Sequence, residues 1–197
     1  MCMNKRELRL RCAEIRKNLT PEYEKTASES IEAALLQTRE YIAAKTVFIY
    51  VSMPGEPETR GVIENALERG KTVLVPKCVG ENMTAVEIRS LEALKPGAYG
   101  IPEPADGEAW SGGIDLAVVP CAAASKDLNR LGHGRGYYDR FLAGREIFKL
   151  CLCFDKLLCD VPAETHDIKM DMVITETAKM RRQSLRIEHI CTHGVQI

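Results

Sequence analysis

Thr46-Val47-Phe48-Ile49-Tyr50-Val51 is an uncharged run of β-branched and aromatic residues, the pattern of a strand covered on both faces. A loop, Ser52-Met53-Pro54-Gly55-Glu56-Pro57-Glu58-Thr59, follows it. Residues 60–69 then read as a helix, Gly70 stops it, and Lys71 to Val75 is the next apolar run. Strand, loop, helix and strand in this order predict a βαβ unit and therefore a parallel sheet. Residues 115–119, 149–154 and 172–175 are further strands of the same kind, and 83–89 is another candidate. The expected fold is α/β: a single three-layer domain over residues 1–177, with a mostly parallel central sheet flanked by helices. A polar tail over 178–197 completes the chain.

Upstream, residues 4–19 predict a helix in which Leu8, Cys12, Ile15 and Leu19 form an apolar stripe. Lys5, Arg9 and Arg16 fall on a second stripe beside it, which can overhang a pocket or face water. Thr20-Pro21-Glu22 starts a second helix reaching about Leu36, with a threonine cap and proline in the first turn. Residues 95–113, rich in proline and glycine, predict a long loop.

The chain has 197 residues, enough to bury roughly 70% of its unfolded surface in one core. A net charge of -1 gives no global basic field for nucleic acid or an anionic membrane. No apolar run approaches the roughly 20 residues of a membrane span. The eight cysteines lack the spacing of a disulfide framework, and no apolar leader precedes them. Reduced thiols in a cytoplasmic protein are expected. Cys151-x-Cys153 with Cys159, and His189-x-Cys191-x-His193, are weak metal patterns beside the usual Cys-x-x-Cys knuckle.

Asn129-Arg130-Leu131-Gly132-His133-Gly134-Arg135-Gly136-Tyr137-Tyr138-Asp139-Arg140 carries the chemistry. Alternating glycines let backbone N–H groups close on an anion, and a helix starting at Tyr137 adds its positive end. Asp139 is placed to hold a magnesium ion escorting phosphates, since magnesium takes one or two carboxylates and completes its shell with phosphate oxygens and water. Ligands of open α/β sheets sit beyond the carboxyl ends of the strands. Loops 52–59 and 120–139 are therefore expected to converge.

Together these segments resemble the 5-formyltetrahydrofolate cyclo-ligase family. The family's Lys-x-x-x-Arg is matched by Lys5 and Arg9, and its Ser-Met-Pro-x-Glu-x-x-Thr by residues 52–59. Its Ile-Pro-x-Pro is matched by Ile101 to Pro104, and its Arg-Leu-Gly-x-Gly-x-Gly-Tyr-Tyr-Asp by Arg130 to Asp139. Val161-Pro162-x-Glu164-x-His166-Asp167 is similar to its terminal motif. The departures are Cys121-Ala122-Ala123-Ala124-Ser125 where the family reads Gly-x-Ala-Phe-Asp, Leu128 in place of a glycine, and Tyr99 for the aromatic before Ile-Pro.

The resemblance implies ATP- and magnesium-dependent closure of 5-formyltetrahydrofolate to 5,10-methenyltetrahydrofolate, with release of ADP and phosphate. It implies that Lys5, Arg9 and Arg135 are catalytic. ATP is expected along Lys5, Arg9 and the run Arg130, Leu131, Gly132, His133, Gly134, Arg135, Gly136, Tyr137 and Tyr138. The folate is expected against Met53, Glu58 and Tyr99, and against His133, Gly134, Arg135, Gly136 and Tyr137. Asp139 and Asp167 are expected to hold Mg2+. A monomer or weak homodimer is expected, with no nucleic-acid or membrane partner. Met53 also reads as core, Glu58 as a helix-start carboxylate, and His166 as a structural hydrogen-bonder. Two other functions remain open: a non-catalytic folate- or nucleotide-binding protein, and a sugar-phosphate isomerase-like enzyme of related architecture. A nicotinamide oxidoreductase is disfavoured, because the glycines come late and lack the strand–turn–helix layout.

Overall fold

The computed structural model describes residues 3–97, 100–165, 167–182 and 187–189. Asn4 opens α1 (Lys5–Lys17) as a full capping box, accepting from the N–H groups of Arg6 and Glu7 while Glu7 returns a bond to its own N–H. Thr20 caps α2 (Pro21–Leu36) by accepting from the Tyr23 N–H at 3.2 Å. A short α3 (Arg39–Ala43) leads into the central strand β1 (Thr46–Ile49). The β1 crossover runs through α4 (Arg60–Glu68) to β2 (Thr72–Val79), which turns back as β3 (Asn82–Ile88). Beyond it come β6 (Leu116–Val119), α5 (Tyr137–Leu142), β9 (Phe148–Leu152) and β10 (Met172–Ile174).

The strands β2, β1, β6, β9 and β10 lie side by side in that order, all parallel. In chain order this is 2-1-3-4-5, the doubly wound arrangement whose crossovers leave in opposite directions from the first and third strands. Right-handed crossovers then put α4 and α5 on opposite faces. The side chains agree. Phe48 stacks on Phe141 of α5 with ring centroids 4.7 Å apart, while α2 packs beside α4 on the other face. Residues 47–49, 73–75, 116–119 and 150–152 are almost completely buried, as expected for a sheet covered on both sides. The α/β three-layer expectation therefore holds.

Two expectations are corrected. Residues 178 onward are not simply a polar tail: β11 (Ala178–Arg181) pairs antiparallel with β10, and β12 (Ile187–His189) pairs with β11, giving an eight-stranded sheet. Ala178 and Met180 point into the core, and Arg181 pairs with Glu40. Inside the predicted 95–113 loop, β4 (Leu94–Pro96) and β5 (Pro102–Pro104) form a small hairpin. A second hairpin, β7 (Ala123–Ala124) with β8 (Arg130–Leu131), carries the chain from β6 into the glycine segment. The six described cysteines are free thiols. Cys191 and His193 lie outside the described residues.

Candidate active site

Where the crossovers part, the carboxyl ends of β1 and β6 open onto a cavity of about 340 Å³. Met53 and Glu56 of the 52–59 loop form one wall, and Arg130, His133, Arg135 and Asp139 of the glycine segment form another. The two predicted loops do converge.

The 52–59 loop is closed on itself by buried hydrogen bonds. The Tyr50 hydroxyl donates to the Pro57 carbonyl at 2.6 Å, and the Thr59 hydroxyl to the Tyr50 carbonyl at 2.7 Å. This turns Glu56 inward. Its Oε2 accepts from the Met53 N–H at 3.1 Å, and its Oε1 lies 3.0 Å from His133 Nε2 of the opposite wall. Glu58, expected against the folate, is not among the side chains that line the cavity. Its Oε1 accepts from the N–H groups of Thr59 and Arg60 at 2.9 and 3.0 Å and from the Ser52 hydroxyl, so it serves the first turn of α4. The sequence offered a signal for this: Glu58 stands two residues before a helix start, while Glu56 lies between Gly55 and Pro57, where the chain turns.

Of the cations on the second stripe of α1, Arg9 and Arg16 bond to these loops, and Lys5 bonds to the segment 164–167. Arg9 Nε donates to the Gly132 carbonyl at 2.8 Å. Arg16 Nε donates to the Gly55 carbonyl at 2.7 Å, and its Nη2 to the Cys121 carbonyl at 2.9 Å, so one guanidinium joins both loops to the helix. Gly55 has a φ of +83°, and a Cβ there would lie 2.3 Å from the Arg16 stem. Lys5 Nζ reaches Asp167 at 2.6 Å and Glu164 at 3.0 Å. Burial alone would lower the Lys5 pKa, but these carboxylates outweigh it and raise it.

In the glycine segment, Gly134 and Gly136 take φ of +101° and +69°, which L side chains rarely adopt. The Tyr137 hydroxyl donates to the Gly80 carbonyl at 2.9 Å, and Arg140 donates to the Glu81 carbonyl, pinning α5 to the β2–β3 turn. Tyr138 is held between the Phe48 ring and the Arg130 guanidinium, and burial pushes its hydroxyl pKa up. Within this segment the Leu131 side chain belongs to the core and does not line the cavity. The carboxylates expected to share magnesium have separate partners. Arg130 donates to Asp139 Oδ1 at 2.8 Å, and Lys5 holds Asp167. Among the described residues no group of three His, Cys, Asp or Glu is placed around a common point. Tyr99 and His166 lie outside the described residues.

A sequence model of the 5-formyltetrahydrofolate cyclo-ligase family matches residues 2–176. The chain belongs to this family. It is 34% identical to the mouse 5-formyltetrahydrofolate cyclo-ligase, over 77% of this chain and 86% of that protein. To a probable 5-formyltetrahydrofolate cyclo-ligase of Schizosaccharomyces pombe it is 30% identical, over 78% and 86%. The solution structure of Aquifex aeolicus 5,10-methenyltetrahydrofolate synthetase superposes with a TM-score of 0.83 at 30% identity, covering 97% of this chain and all of that one. Against the cyclo-ligase pattern, the departures at 121–128 keep the backbone intact. Leu128 holds a φ of +68° in the place of the family's glycine. Ser125, where the family has aspartate, accepts from the Asn129 N–H at 3.2 Å and closes the same turn.

Proposed function

We propose that this cyclo-ligase converts 5-formyltetrahydrofolate to 5,10-methenyltetrahydrofolate with magnesium-ATP, releasing ADP and phosphate. The observation that carries the reading is the meeting of the two loops on one cavity, one bearing Met53 and Glu56 and the other the glycines and cations. An N-formyl carbonyl is amide-like and a poor electrophile. Its oxygen takes the γ-phosphoryl group as the bond to ADP breaks. The neighbouring secondary amine then attacks the activated carbon, gives up its proton, and phosphate leaves.

The protein's work is positioning and charge stabilisation. Arg9, Arg135 and the Gly132–Gly136 backbone are proposed to surround the transferring phosphates. Lys5 joins them on exchanging its carboxylates for phosphate oxygens. Asp139, with one oxygen on Arg130 and the other not so engaged, suits a magnesium ion that draws its remaining ligands from phosphate and water. Asp167 is its proposed second carboxylate. Magnesium would neutralise charge on the phosphates and hold them in line. Glu56 takes the folate-reading role first expected of Glu58, and Met53 packs on the flat ring.

The direct test mixes the protein with 5-formyltetrahydrofolate and magnesium-ATP and follows the near-ultraviolet absorbance of the methenyl product. A rise that requires ATP is expected. Tight binding of both ligands with no product would instead make this a binding protein.

A further inference from the structure

Seven polar or charged side chains are buried among the described residues, and Glu103 is the single carboxylate in that set, 8% exposed. The other six bond to backbone groups or, for Arg130, to Asp139 as well. Glu103 has no such partner. The Cys78 thiol lies beside it, and a thiol is a weak donor. Its oxygens are not among the polar atoms sealed off without a partner, so they keep access to the cavity that Glu103 lines, where a ligand donor can reach them.

The surrounding hairpin is shaped to hold this side chain. Glu103 is the middle residue of β5, between two prolines whose φ is restricted. Lys95 stands across from it in the hairpin, and Gly97, just past the end of β4, has no Cβ; one built there would lie 2.7 Å from the Glu103 stem. Glu103 lines the cavity beside Ile101, Met83 and Cys78, an otherwise apolar wall. On the facing loop, both oxygens of Glu56 already have partners in Met53 and His133. Each Glu56 oxygen keeps one further acceptor site, so the larger unspent acceptor capacity in the ring-binding part of the cavity lies with Glu103.

We propose that Glu103 accepts hydrogen bonds from ring N–H groups of the substrate heterocycle, and so selects for a donor edge at that position. The assignment rests on the folate reading of the cavity. A carboxylate in an apolar wall discriminates strongly, since a ligand presenting an acceptor there leaves both groups unpaired.

The test measures dissociation constants for 5-formyltetrahydrofolate and for magnesium-ATP with the wild-type protein, Glu103→Gln and Glu103→Ala. Both variants should weaken folate binding about tenfold or more and leave nucleotide binding within about twofold. Neither should lower the melting temperature of the ligand-free protein, because the carboxylate gives up only a thiol contact. A second readout is alkylation of Cys78 by iodoacetamide. Burial and the Glu103 carboxylate push that thiol up to about 11, so Glu103→Gln should speed its alkylation. Wild-type folate affinity in both variants overturns the assignment alone. Parallel loss of folate affinity, nucleotide affinity and melting temperature also overturns it, in favour of a structural role. No folate binding by the wild-type protein overturns the folate reading and this assignment together.

Discussion

Arg16 ties three pieces of chain together with one planar group, and only a fork of this geometry can do so. Its partners are the carbonyls of Gly55 and Cys121, one in each loop of the cavity. Arg16→Lys keeps the charge and loses the fork, so it should raise the folate KM several-fold with kcat less affected, and Arg16→Ala should raise it further. Steady-state kinetics with each substrate varied in turn decide this. The two carboxylates of the first loop separate in the same way. Glu56→Gln should raise the folate KM about tenfold, the scale of one lost charge-assisted hydrogen bond. Glu58→Gln should lower stability by about 1 kcal/mol in urea unfolding, the scale of a lost helix cap, and leave the folate KM in place. The sequence carried both residues and the helix-start position of Glu58, but not the inward direction of Glu56. That direction depends on Tyr50 and Thr59 closing the loop, contacts that span seven and nine residues and have no local signature.

Within elements, the glycine segment and its metal carboxylate call for different variants. Gly134→Ala forces a Cβ onto a φ of +101°, at a cost of the order of 1–3 kcal/mol, so nucleotide binding should suffer at every magnesium concentration. Asp139→Asn keeps the shape and removes a charge, so its defect should ease as magnesium is raised, in a magnesium titration of the initial rate. The strands β1, β2, β6, β9 and β10 were readable because each is apolar on both faces over several residues. The β4–β5 hairpin was not, since its strands have three residues each and three of the six are proline. β11 was missed for a related reason: Ala178-Lys179-Met180-Arg181 alternates for only four residues in polar surroundings. Met180 is 2% exposed, so Met180→Ala should cost about 2–4 kcal/mol in urea unfolding. A freely solvated tail residue would cost almost nothing.

For the whole molecule, alkaline pH is the weak side. Burial, aided by neighbouring thiol or carboxylate groups, raises Cys78 and Cys159 from 9.0 to about 11. Burial likewise raises Tyr41 from 10.0 to about 12. Lys5 is also raised, where its two carboxylates outweigh burial. A group held above its unfolded value contributes stability that is complete below that value and lost as pH climbs through the folded one. The urea midpoint should therefore begin to fall above about pH 9 and fall further toward pH 11 and 12, with Lys71, lowered by burial, opposing the trend. Denaturant titrations across that range check the sign.

α1 also sets the order of events on the ribosome. The partners of Arg9 and Lys5 come 123 and as many as 162 residues later in the chain, and those of Arg16 come 39 and 105 residues later. The helix is made first and seated last. A chain stalled before Glu164 has this basic stripe without all of its anchors, so half-made protein has no finished pocket with which to trap folate or nucleotide. Binding competence arrives only once Asp167 has been made, and until then the apolar stripe of Leu8 and Cys12 is the surface that chaperones would meet.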